Sequence, residues 1–366
     1  MTPIYSEIHS KFKLNGNSFS REDLKEVAYS LIKEGAHFEH SIGDFLLDWL
    51  NDSPEISVRS SGSTGTPKNI TLEKRFMVNS AMSTGQFFGL EAGQSALLCL
   101  PVDYIAGKMM LVRAMVLGLE LDYVAPTSNP LKGIRRTFNF SAMVPLQLES
   151  SLDKIERIKT LIVGGATISA LLRKQVQNKS TAIFETYGMT ETITHIAARK
   201  VNDLQSVSAT DKSNVPEQYP FKTLPNILVS KDSRGCLVID CPKVSQQPVV
   251  TNDLVDMVSD TEFLWLGRYD NVINSGGVKL IPEKIEAKLT EIIECRFFVA
   301  GLPDKKLGQK LVLIVEGGVN SKELFKKFKS FKNLEKFEVP KEIFVLPKFK
   351  ETENGKIKRT ATIRLI

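Results

Sequence analysis

The chain has 366 residues, of which 42% are hydrophobic and 25% charged, and its formal net charge is +6. This composition is typical of a globular protein and excludes a fibrous or largely disordered chain, and the length allows one large domain with a smaller companion. Residues 1–16 lack the pattern of a signal peptide and no later apolar run is long enough to span a bilayer, so we expect a cytoplasmic protein without a membrane span.

Helices are predicted at the start of the chain, and helices alternating with strands are predicted after them. Ser20 to Asp23 has the pattern of a capped helix start, which predicts scaffold helices in residues 1–55. Further helices are predicted near 75–88 and 108–117. Short apolar runs predict buried strands at 95–100, 119–125, 140–144 and 160–163. Alternating strands and helices indicate a parallel sheet covered on both faces, whose ligands bind beyond the carboxyl ends of the strands.

A stretch with no core-forming side chain precedes this sheet: Ser60-Ser61-Gly62-Ser63-Thr64-Gly65-Thr66-Pro67-Lys68. Its glycines allow close approach of a ligand to the backbone, and its hydroxyl and amide groups are donors for phosphate oxygens. The spacing differs from the Walker A pattern. A flexible surface linker has a similar composition, but the apolar pattern resumes at Ile70, which indicates that ordered elements flank the stretch.

Two loops that follow predicted strands carry further candidate residues. Gly164, Gly165 and Ala166 follow one strand, and the segment from Tyr187 to Glu191 follows the next. Tyr187 offers a flat face for a base, and the Glu191 carboxylate is a ligand for a divalent cation next to phosphates. A glycine-containing turn of this kind, taken alone, is more often a tight turn required by the fold than a ligand-binding site. We expect His195 to be a packed histidine rather than a catalytic base.

The strands predicted after residue 221 are shorter, which indicates a β-rich layer. Asp253 is the acceptor that a ribose diol needs, and Arg268 adds a donor for the sugar or a phosphate. Residues 267–366 carry a net charge of +8, whereas the rest of the chain carries −2. The positive charge fits a solvated face or the attraction of a polyanionic ligand. Nucleic acid is disfavoured, because the lysines near residue 328 alternate with apolar residues as on a packed helix.

In their order along the chain, these motifs resemble those of the adenylate-forming superfamily of acyl-CoA synthetases, adenylation domains and luciferases. Ser61 to Lys68 resembles the phosphate loop of that superfamily. Tyr187-Gly-Met-Thr-Glu191 resembles its adenine and magnesium motif. Thr251-Asn-Asp253 resembles its ribose motif, with Asn252 where glycine is usual.

The resemblance continues to the end of the chain. Gly267-Arg-Tyr-Asp270, followed by Ser275-Gly-Gly277, resembles the hinge into the C-terminal domain, and Gly355-Lys356 resembles the catalytic lysine motif. The compact chain is most similar to the o-succinylbenzoate:CoA ligases of menaquinone biosynthesis. It departs from the usual pattern at Tyr104, where relatives often carry histidine, and at Phe349 to Asn354, an insertion before the final lysine.

The resemblance implies an α/β, luciferase-like fold. A large N-terminal domain of parallel sheets with helices and a β-rich layer, residues 1–266, would bind ATP and the acid. Residues 267–270 would form a hinge, and residues 271–366 a small, mobile α+β C-terminal domain. The implied reaction has two steps: a carboxylate attacks the α-phosphate of ATP to give an acyl-adenylate and pyrophosphate, and the CoA thiolate then attacks the acyl carbonyl. The C-terminal domain would rotate about Asp270 between the steps.

The resemblance also assigns roles to individual residues. The catalytic residues would be Lys356, Thr190 and Glu191, and Glu191 would also position Mg²⁺. Residues that would bind ATP or AMP are Ser60, Ser61, Gly62, Ser63, Thr64, Gly65, Thr66, Lys68, Gly164, Gly165, Ala166, Tyr187, Gly188, Asp253 and Arg268. Those that would line the CoA tunnel are Ser275, Gly276 and Gly277.

The acid is the open point of this hypothesis. A succinyl-aryl acid keeps a second carboxylate, so its pocket needs a basic residue or several donors. The candidates are Lys108, Arg113 and Thr192, although the two basic residues also fit the surface of an ordinary helix. A ligase for another acid, an enzyme that loads a carrier protein, and a nucleotide-binding protein without catalysis are the alternatives. The sequence leaves the oligomeric state open, a homodimer included.

Overall fold

The computed structural model describes residues 5, 7–59, 69–202, 219–351 and 357–366. The chain divides into two compact units. The first unit comprises Met1–Ser230, Ile239–Val249 and Val258–Phe263, and the second comprises Lys231–Val238, Val250–Met257 and Leu264–Ile366. Two segments that precede residue 266 therefore belong to the second unit.

The helices and strands follow one another in the order expected for an α/β fold. Those up to residue 223 are β1 (Lys13–Leu14), α1 (Arg21–Glu34), α2 (His37–Leu50), β2 (Glu55–Arg59), β3 (Asn69–Glu73), α3 (Lys74–Phe88), β4 (Ser95–Leu98), α4 (Ile105–Leu117), β5 (Glu120–Tyr123), β6 (Phe138–Met143), α5 (Pro145–Ser150), β7 (Ile158–Val163), α6 (Ala170–Val176), β8 (Ala182–Gly188), β9 (His195–Lys200) and β10 (Phe221–Thr223).

The elements after residue 223 are mostly strands. They are β11 (Leu228–Lys231), β12 (Cys236–Asp240), β13 (Val249–Met257), β14 (Glu262–Arg268), β15 (Ile273–Ser275), β16 (Val278–Leu280), α7 (Pro282–Leu289), β17 (Phe297–Asp304), β18 (Gly308–Glu316), α8 (Ser321–Ser330), β19 (Glu342–Leu346) and α9 (Arg359–Ile363). Pro282 occupies the first turn of α7, where its missing N–H costs no helix hydrogen bond.

A parallel sheet forms the centre of the first unit. Its strands lie in the order β1-β5-β4-β6-β7-β8, all parallel, and β9 and β10 continue it as antiparallel strands. Leu97 and Leu161, in the middle of their strands, are fully buried. Strands covered on both faces read as continuous apolar runs, which is why the sequence predicted them. The predicted α/β fold with a parallel sheet is confirmed.

Helix α4 packs closely against the loop that precedes it and is apolar around almost its whole circumference. Gly107 lies on its first turn, and a Cβ there would come within 2.9 Å of Val102 Cα. The residues from Met109 to Val116 are all buried, and Arg113 is among them. A polar side chain on a helix that is buried on all sides needs hydrogen-bond partners in the surrounding elements. The burial of Arg113 therefore raises the question of which groups it contacts.

The second unit has its own sheet, in the order β16-β15-β18-β17, with β19 parallel to β18. Because side chains alternate along a strand, Leu311 and Leu313 of β18 join one core with α7 and α8, and Val312 and Ile314 join another with Phe349. This sheet with helices matches the small α+β unit expected at the C-terminus. In the part of the chain that the structure describes, no helix is long and apolar enough to cross a membrane.

Candidate active site

The loops after β7 and β8 lie together at the carboxyl edge of the parallel sheet. The Gly164 N–H donates to the carbonyl of Met143 at the end of β6 (3.1 Å). A Cβ on Gly164 would lie 2.6 Å from the Thr186 hydroxyl oxygen, so the absence of a side chain lets this turn approach β8. Gly165 has a φ of +82°, a conformation that glycine adopts without strain. The predicted turn from Gly164 to Ala166 therefore lies beside the strand that ends in the Tyr187 motif.

A buried ion-pair network connects these two loops to each other. Glu185 of β8 accepts hydrogen bonds from the Ile168 N–H (3.1 Å) and from the Arg173 guanidinium (2.9 Å), and it pairs with Arg199 of β9 at 2.7 Å. Burial disfavours the charged carboxylate, but the two arginines and the amide outweigh it and lower the pKa of Glu185. Glu185 was not among the residues predicted from the sequence, although a carboxylate inside an apolar strand is a signal for such a network.

Tyr187 is held by aromatic packing. Its ring lies 5.9 Å from that of Phe221 and 5.3 Å from that of Phe263, and these two phenylalanines stack on each other. The Arg199 guanidinium lies over the ring of Phe221, 4.3 Å from its centroid. The ring of Tyr187 is half-buried, so packing fixes its orientation and leaves part of its surface available to a ligand.

The turn after Tyr187 carries the predicted Thr190 and Glu191 and is stabilised by Thr192. The Thr192 hydroxyl lies within hydrogen-bond distance of the carbonyls of Met189 (3.0 Å) and Thr194 (2.8 Å), and its single proton is donated to one of them. Ile193 has φ +65° and ψ −60°, and the Thr194 N–H donates to the Thr192 carbonyl at 2.7 Å. These values describe a classic γ-turn, which is strained for a β-branched residue. Thr192 is 1% exposed, so in this conformation its hydroxyl serves the turn.

Glu191 lies at the exposed tip of this turn. Within the described ranges its carboxylate makes no hydrogen bond or ion pair, and no group of three His, Cys, Asp or Glu side chains forms a metal cage there or elsewhere. Mg²⁺ is usually held by one or two carboxylates together with substrate phosphates and water. A single open carboxylate at the edge of the sheet fits that mode of binding.

The two basic candidates for the acid site lie on different faces of α4. Lys108 points toward α2, with its ammonium 4.8 Å from the centroid of Phe45. Arg113 is 1% exposed and contacts Thr84, Thr194 and His195, each at 3.4 Å. Its contacts thus reach the segment that follows Glu191, and those of Lys108 do not.

His195 is a packed histidine, as expected. Burial and, secondarily, the charge of Arg113 hold its pKa well below the ordinary value, so the ring is neutral at pH 7. Arg113 must donate to Nδ1, which leaves Nε2 protonated to donate to the Thr84 hydroxyl (3.4 Å). Burial also lowers the pKa of Arg113 to about 9. Of the described residues, no carboxylate pairs with Arg113.

The ribose and hinge candidates form a cluster within the second unit. Asp253 is buried, and it accepts a hydrogen bond from the Trp265 indole (3.1 Å) and lies 3.6 Å from the Arg268 guanidinium. Arg268 also pairs with Asp270 (3.3 Å), which in turn accepts from the Asn252 side chain (3.2 Å). The structure thus brings Asp253, Arg268 and Asp270 together. Sequence analysis missed Trp265, for which no motif gave a signal.

Replacing Asp253 with asparagine is expected to weaken ATP binding by about 10- to 100-fold, the loss that follows when a hydrogen bond to a charged group is removed. Because the Trp265 indole donates to this carboxylate, ATP binding to the wild-type protein should change tryptophan fluorescence. Trp49, the other tryptophan, is buried in the first unit and supplies a constant background. Fluorescence titration with ATP measures both effects. Unchanged ATP affinity in Asp253→Asn would contradict a role in ribose binding.

The CoA candidates form the turn between β15 and β16. Ser275 is buried and pairs with Gly308, and Gly276 and Gly277 have φ values of +59° and +84°. The Gly276 N–H donates to the Leu307 carbonyl at 2.9 Å. Two consecutive residues in this conformation require glycine, which explains the Gly-Gly pair without excluding a ligand.

The candidates at 60–68 and Lys356 lie outside the described residues, but their flanks are well defined. Strands β2 and β3 pair antiparallel, and Arg59 and Asn69, the described residues on either side of 60–68, lie opposite each other. Lys74, directly after β3, is fully buried, and its ammonium donates to the Trp49 carbonyl (3.1 Å) at the end of α2. In the second unit, Glu351 and Ile357 form an isolated bridge on either side of the segment that contains Lys356.

Comparisons with known proteins identify the family of the chain. Residues 57–219 match the family model described as AMP-binding enzyme. Among solved structures, the acyl-CoA synthetase (AMP-forming)/AMP-acid ligase II-like protein of Dyadobacter fermentans is 36% identical, with a TM-score of 0.61 over 93% of this chain and 98% of its own. The o-succinylbenzoate coenzyme A synthetase of Bacillus subtilis, in complex with ATP and a magnesium ion, is 20% identical, with a TM-score of 0.71 over 94% of this chain and 82% of its own.

The curated relatives point the same way. The 2-succinylbenzoate–CoA ligase of Enterococcus faecalis is 23% identical and is matched over 91% of this chain and 74% of its own length. The ligase of the same name from Bacillus subtilis is 24% identical over 96% of this chain and 77% of its own length. With the 36% identity to the Dyadobacter protein over nearly its full length, these matches establish that the chain belongs to the AMP-binding enzyme family of AMP-forming acyl-CoA synthetases.

Proposed function

We propose that this protein is an ATP-dependent acid:CoA ligase that acts through an acyl-adenylate and converts o-succinylbenzoate to its CoA thioester, with release of AMP and pyrophosphate. The observation that carries the proposal is that the Gly164 turn lies beside Thr186, on the strand that leads into Tyr187 and Glu191, at the carboxyl edge of the parallel sheet. The names of the relatives support the choice of acid. We also propose a cytoplasmic location, which is compatible with a reaction that uses ATP and CoA.

In the first step, an anionic carboxylate attacks an anionic phosphate, so charge control is the main task of the protein. Residues 60–68 would hold the β- and γ-phosphates, and Gly164, Tyr187 and Asp253 the nucleoside. Mg²⁺, held by Glu191, would neutralise phosphate charge. Lys356 would place its ammonium between the carboxylate and the α-phosphate, where it stabilises the approach of the two anions.

In the second step, the CoA thiolate attacks the acyl carbonyl, and the counter-charge of Lys356 is no longer needed. We propose that rotation about Asp270 removes Lys356 and brings Ser275 to Gly277 to the adenylate. The net charge of +8 in residues 267–366 supports this assignment, because CoA carries several phosphates.

Arg113 is the better of the two basic candidates for the carboxylate that does not react. Its charge lacks an acidic partner in the described part of the chain, and its contacts reach Thr194 in the segment that follows Glu191. A substrate carboxylate would supply the missing counter-charge, at a site from which water is excluded and where such a pair is strong. Lys108 instead has three aspartates nearby, Asp48, Asp103 and Asp44.

Arg113→Met keeps the volume of the side chain and removes its charge. We expect this variant to raise the KM for o-succinylbenzoate by about 10- to 100-fold, the range of a lost charged hydrogen bond. The KM for 4-oxo-4-phenylbutanoate, which lacks the second carboxylate, should change little. Lys108→Met is the matched control on the same helix. Equal effects of Arg113→Met on the two acids would contradict recognition of the second carboxylate.

The proposed function is tested by ATP–pyrophosphate exchange with Mg²⁺ and a panel of carboxylic acids. Exchange that depends on o-succinylbenzoate supports the proposal. Exchange with fatty or simple aryl acids instead would keep the mechanism and replace the substrate. Absence of exchange with every acid would favour a nucleotide-binding protein without catalysis.

A further inference from the structure

The insertion before the final lysine carries an ion-pair network that the two-step mechanism does not use. Glu351 lies in this insertion and forms an isolated bridge with Ile357, the next described residue along the chain. Arg296, just before β17, pairs with Glu351 and also with Glu316 at the end of β18 (3.1 Å). One guanidinium thus joins the start of the lysine-bearing segment to two strands of the sheet in the second unit.

Further contacts hold the same end of the segment. The Phe349 N–H donates to the second carboxylate oxygen of Glu316 (2.6 Å), and Arg296 lies over the Phe349 ring at 5.9 Å. Phe349 itself is buried in the core beside β18. Glu316 therefore accepts hydrogen bonds from both Arg296 and the backbone of the insertion. These two hydrogen bonds fix the direction in which the chain leaves the sheet.

The other end of the segment is anchored independently. The Lys358 N–H donates to the Lys350 carbonyl (2.7 Å), next to the bridge of Glu351 to Ile357. The Arg359 guanidinium donates to Glu286 of α7 (2.7 Å). Two arginines, one for each end, therefore connect the lysine-bearing segment to the body of the second unit.

The simpler alternative is an ordinary surface ion pair. The Arg296 side chain is 47% exposed, and ion pairs at such positions contribute little to stability. Arg296 differs from an isolated surface pair because it contacts Glu351, the Phe349 ring and, through Glu316, the Phe349 backbone, all just before the segment that contains Lys356. The same exposure makes the site testable, because removing Arg296 should leave the fold intact.

We propose that Arg296 is a positioning residue for acyl-adenylate formation: through Glu351 and Glu316 it holds the segment that carries Lys356. This inference depends on the proposed role of Lys356. A lysine that must lie between two reacting anions loses effect when its segment shifts by about 1 Å, whereas the thioester step does not need its charge. Arg296 therefore affects one step only.

The test measures the two half-reactions separately in Arg296→Ala, Glu351→Gln and Arg296→Lys. We expect Arg296→Ala to lower the rate of adenylate formation by about tenfold, the scale of a modest misplacement of a catalytic group. Thioester formation from supplied acyl-adenylate and CoA should stay within about twofold of the wild-type rate. Arg296→Lys keeps the charge and should be intermediate. The double variant Arg296→Ala/Glu351→Gln should form the adenylate as fast as Arg296→Ala alone, because both changes remove the same ion pair between Arg296 and Glu351.

Lys310→Ala is the matched control, since it breaks another ion pair of the second unit, with Glu342 at 2.5 Å, that involves none of the described residues between 349 and 359. A readout independent of activity is trypsin cleavage after Lys356, which should be faster in Arg296→Ala than in Lys310→Ala. Equal slowing of both half-reactions, or wild-type behaviour of Arg296→Ala while Lys356→Ala loses adenylation, would overturn the positioning role alone. A wild-type protein that forms no acyl-adenylate would overturn both this inference and the proposed function.

Discussion

Lys356→Ala is expected to lower the rate of acyl-adenylate formation by about 10²-fold or more, the usual effect of removing a group that stabilises transition-state charge. In this step a negative carboxylate approaches a negative phosphate, and the variant lacks the positive charge proposed to lie between them. Thioester formation from supplied acyl-adenylate should be much less affected, because the nucleophile then attacks a carbonyl. Rapid-quench measurement of each half-reaction separates the two effects.

Two further variants make this result specific. Lys358→Ala removes a neighbouring lysine, just before α9, and should behave like the wild-type protein. Asp270→Pro restricts the proposed hinge and should show the reverse pattern, with adenylation retained and thioester formation impaired. Equal loss of both half-reactions in Lys356→Ala would exclude the proposed division of roles between the two steps.

Glu185→Gln is expected to destabilise the first unit by about 3–5 kcal/mol, the cost of leaving a buried charge without its partner. Glu185 and Arg199 have side chains only 4% exposed, so solvent cannot replace the lost carboxylate charge. The turn at Gly164 should also loosen, because the Ile168 N–H is held by the same carboxylate. Urea denaturation measures the loss of stability, and ATP titration measures the effect on the site. Asp122→Asn, which removes the charge opposite the exposed Arg136, is the control and should cost far less.

The pH dependence of this stability difference follows from the direction of the pKa shift. The pKa of Glu185 is lower in the folded protein than its ordinary value, because the two arginines outweigh the effect of burial. Its contribution is therefore fully present above the unfolded pKa and is lost as the pH falls through the folded pKa. The difference between wild type and Glu185→Gln should be largest above about pH 5 and shrink below it. A difference that grows toward low pH would contradict the ionised network.

The sequence was sufficient to predict the parallel sheet and the loops that carry the candidate site. Runs such as Leu161 to Val163 are apolar because both faces of the strand are covered, and that pattern is local. The glycines at 164 and 165 were also visible, because a turn that approaches a neighbouring strand needs them.

The contacts that organise the site could not be predicted in the same way. Glu185 meets Arg199 only because β8 and β9 pair, and Arg296 meets Glu351 across 55 positions of sequence. Nothing in the sequence of α4 distinguishes Arg113 from an arginine on the surface of a helix. Only the packing of α4 shows that it is buried and reaches His195. Pairings of this kind depend on tertiary structure, for which a single sequence carries no periodic signal.

Acyl-adenylate formation is tested by identifying the reaction products by mass spectrometry. The protein is incubated with ATP, Mg²⁺ and o-succinylbenzoate, first without and then with CoA. We expect o-succinylbenzoyl-adenylate and pyrophosphate without CoA, and with CoA one AMP for each thioester formed. Formation of ADP and phosphate, or pyrophosphate release that does not depend on the acid, would contradict it.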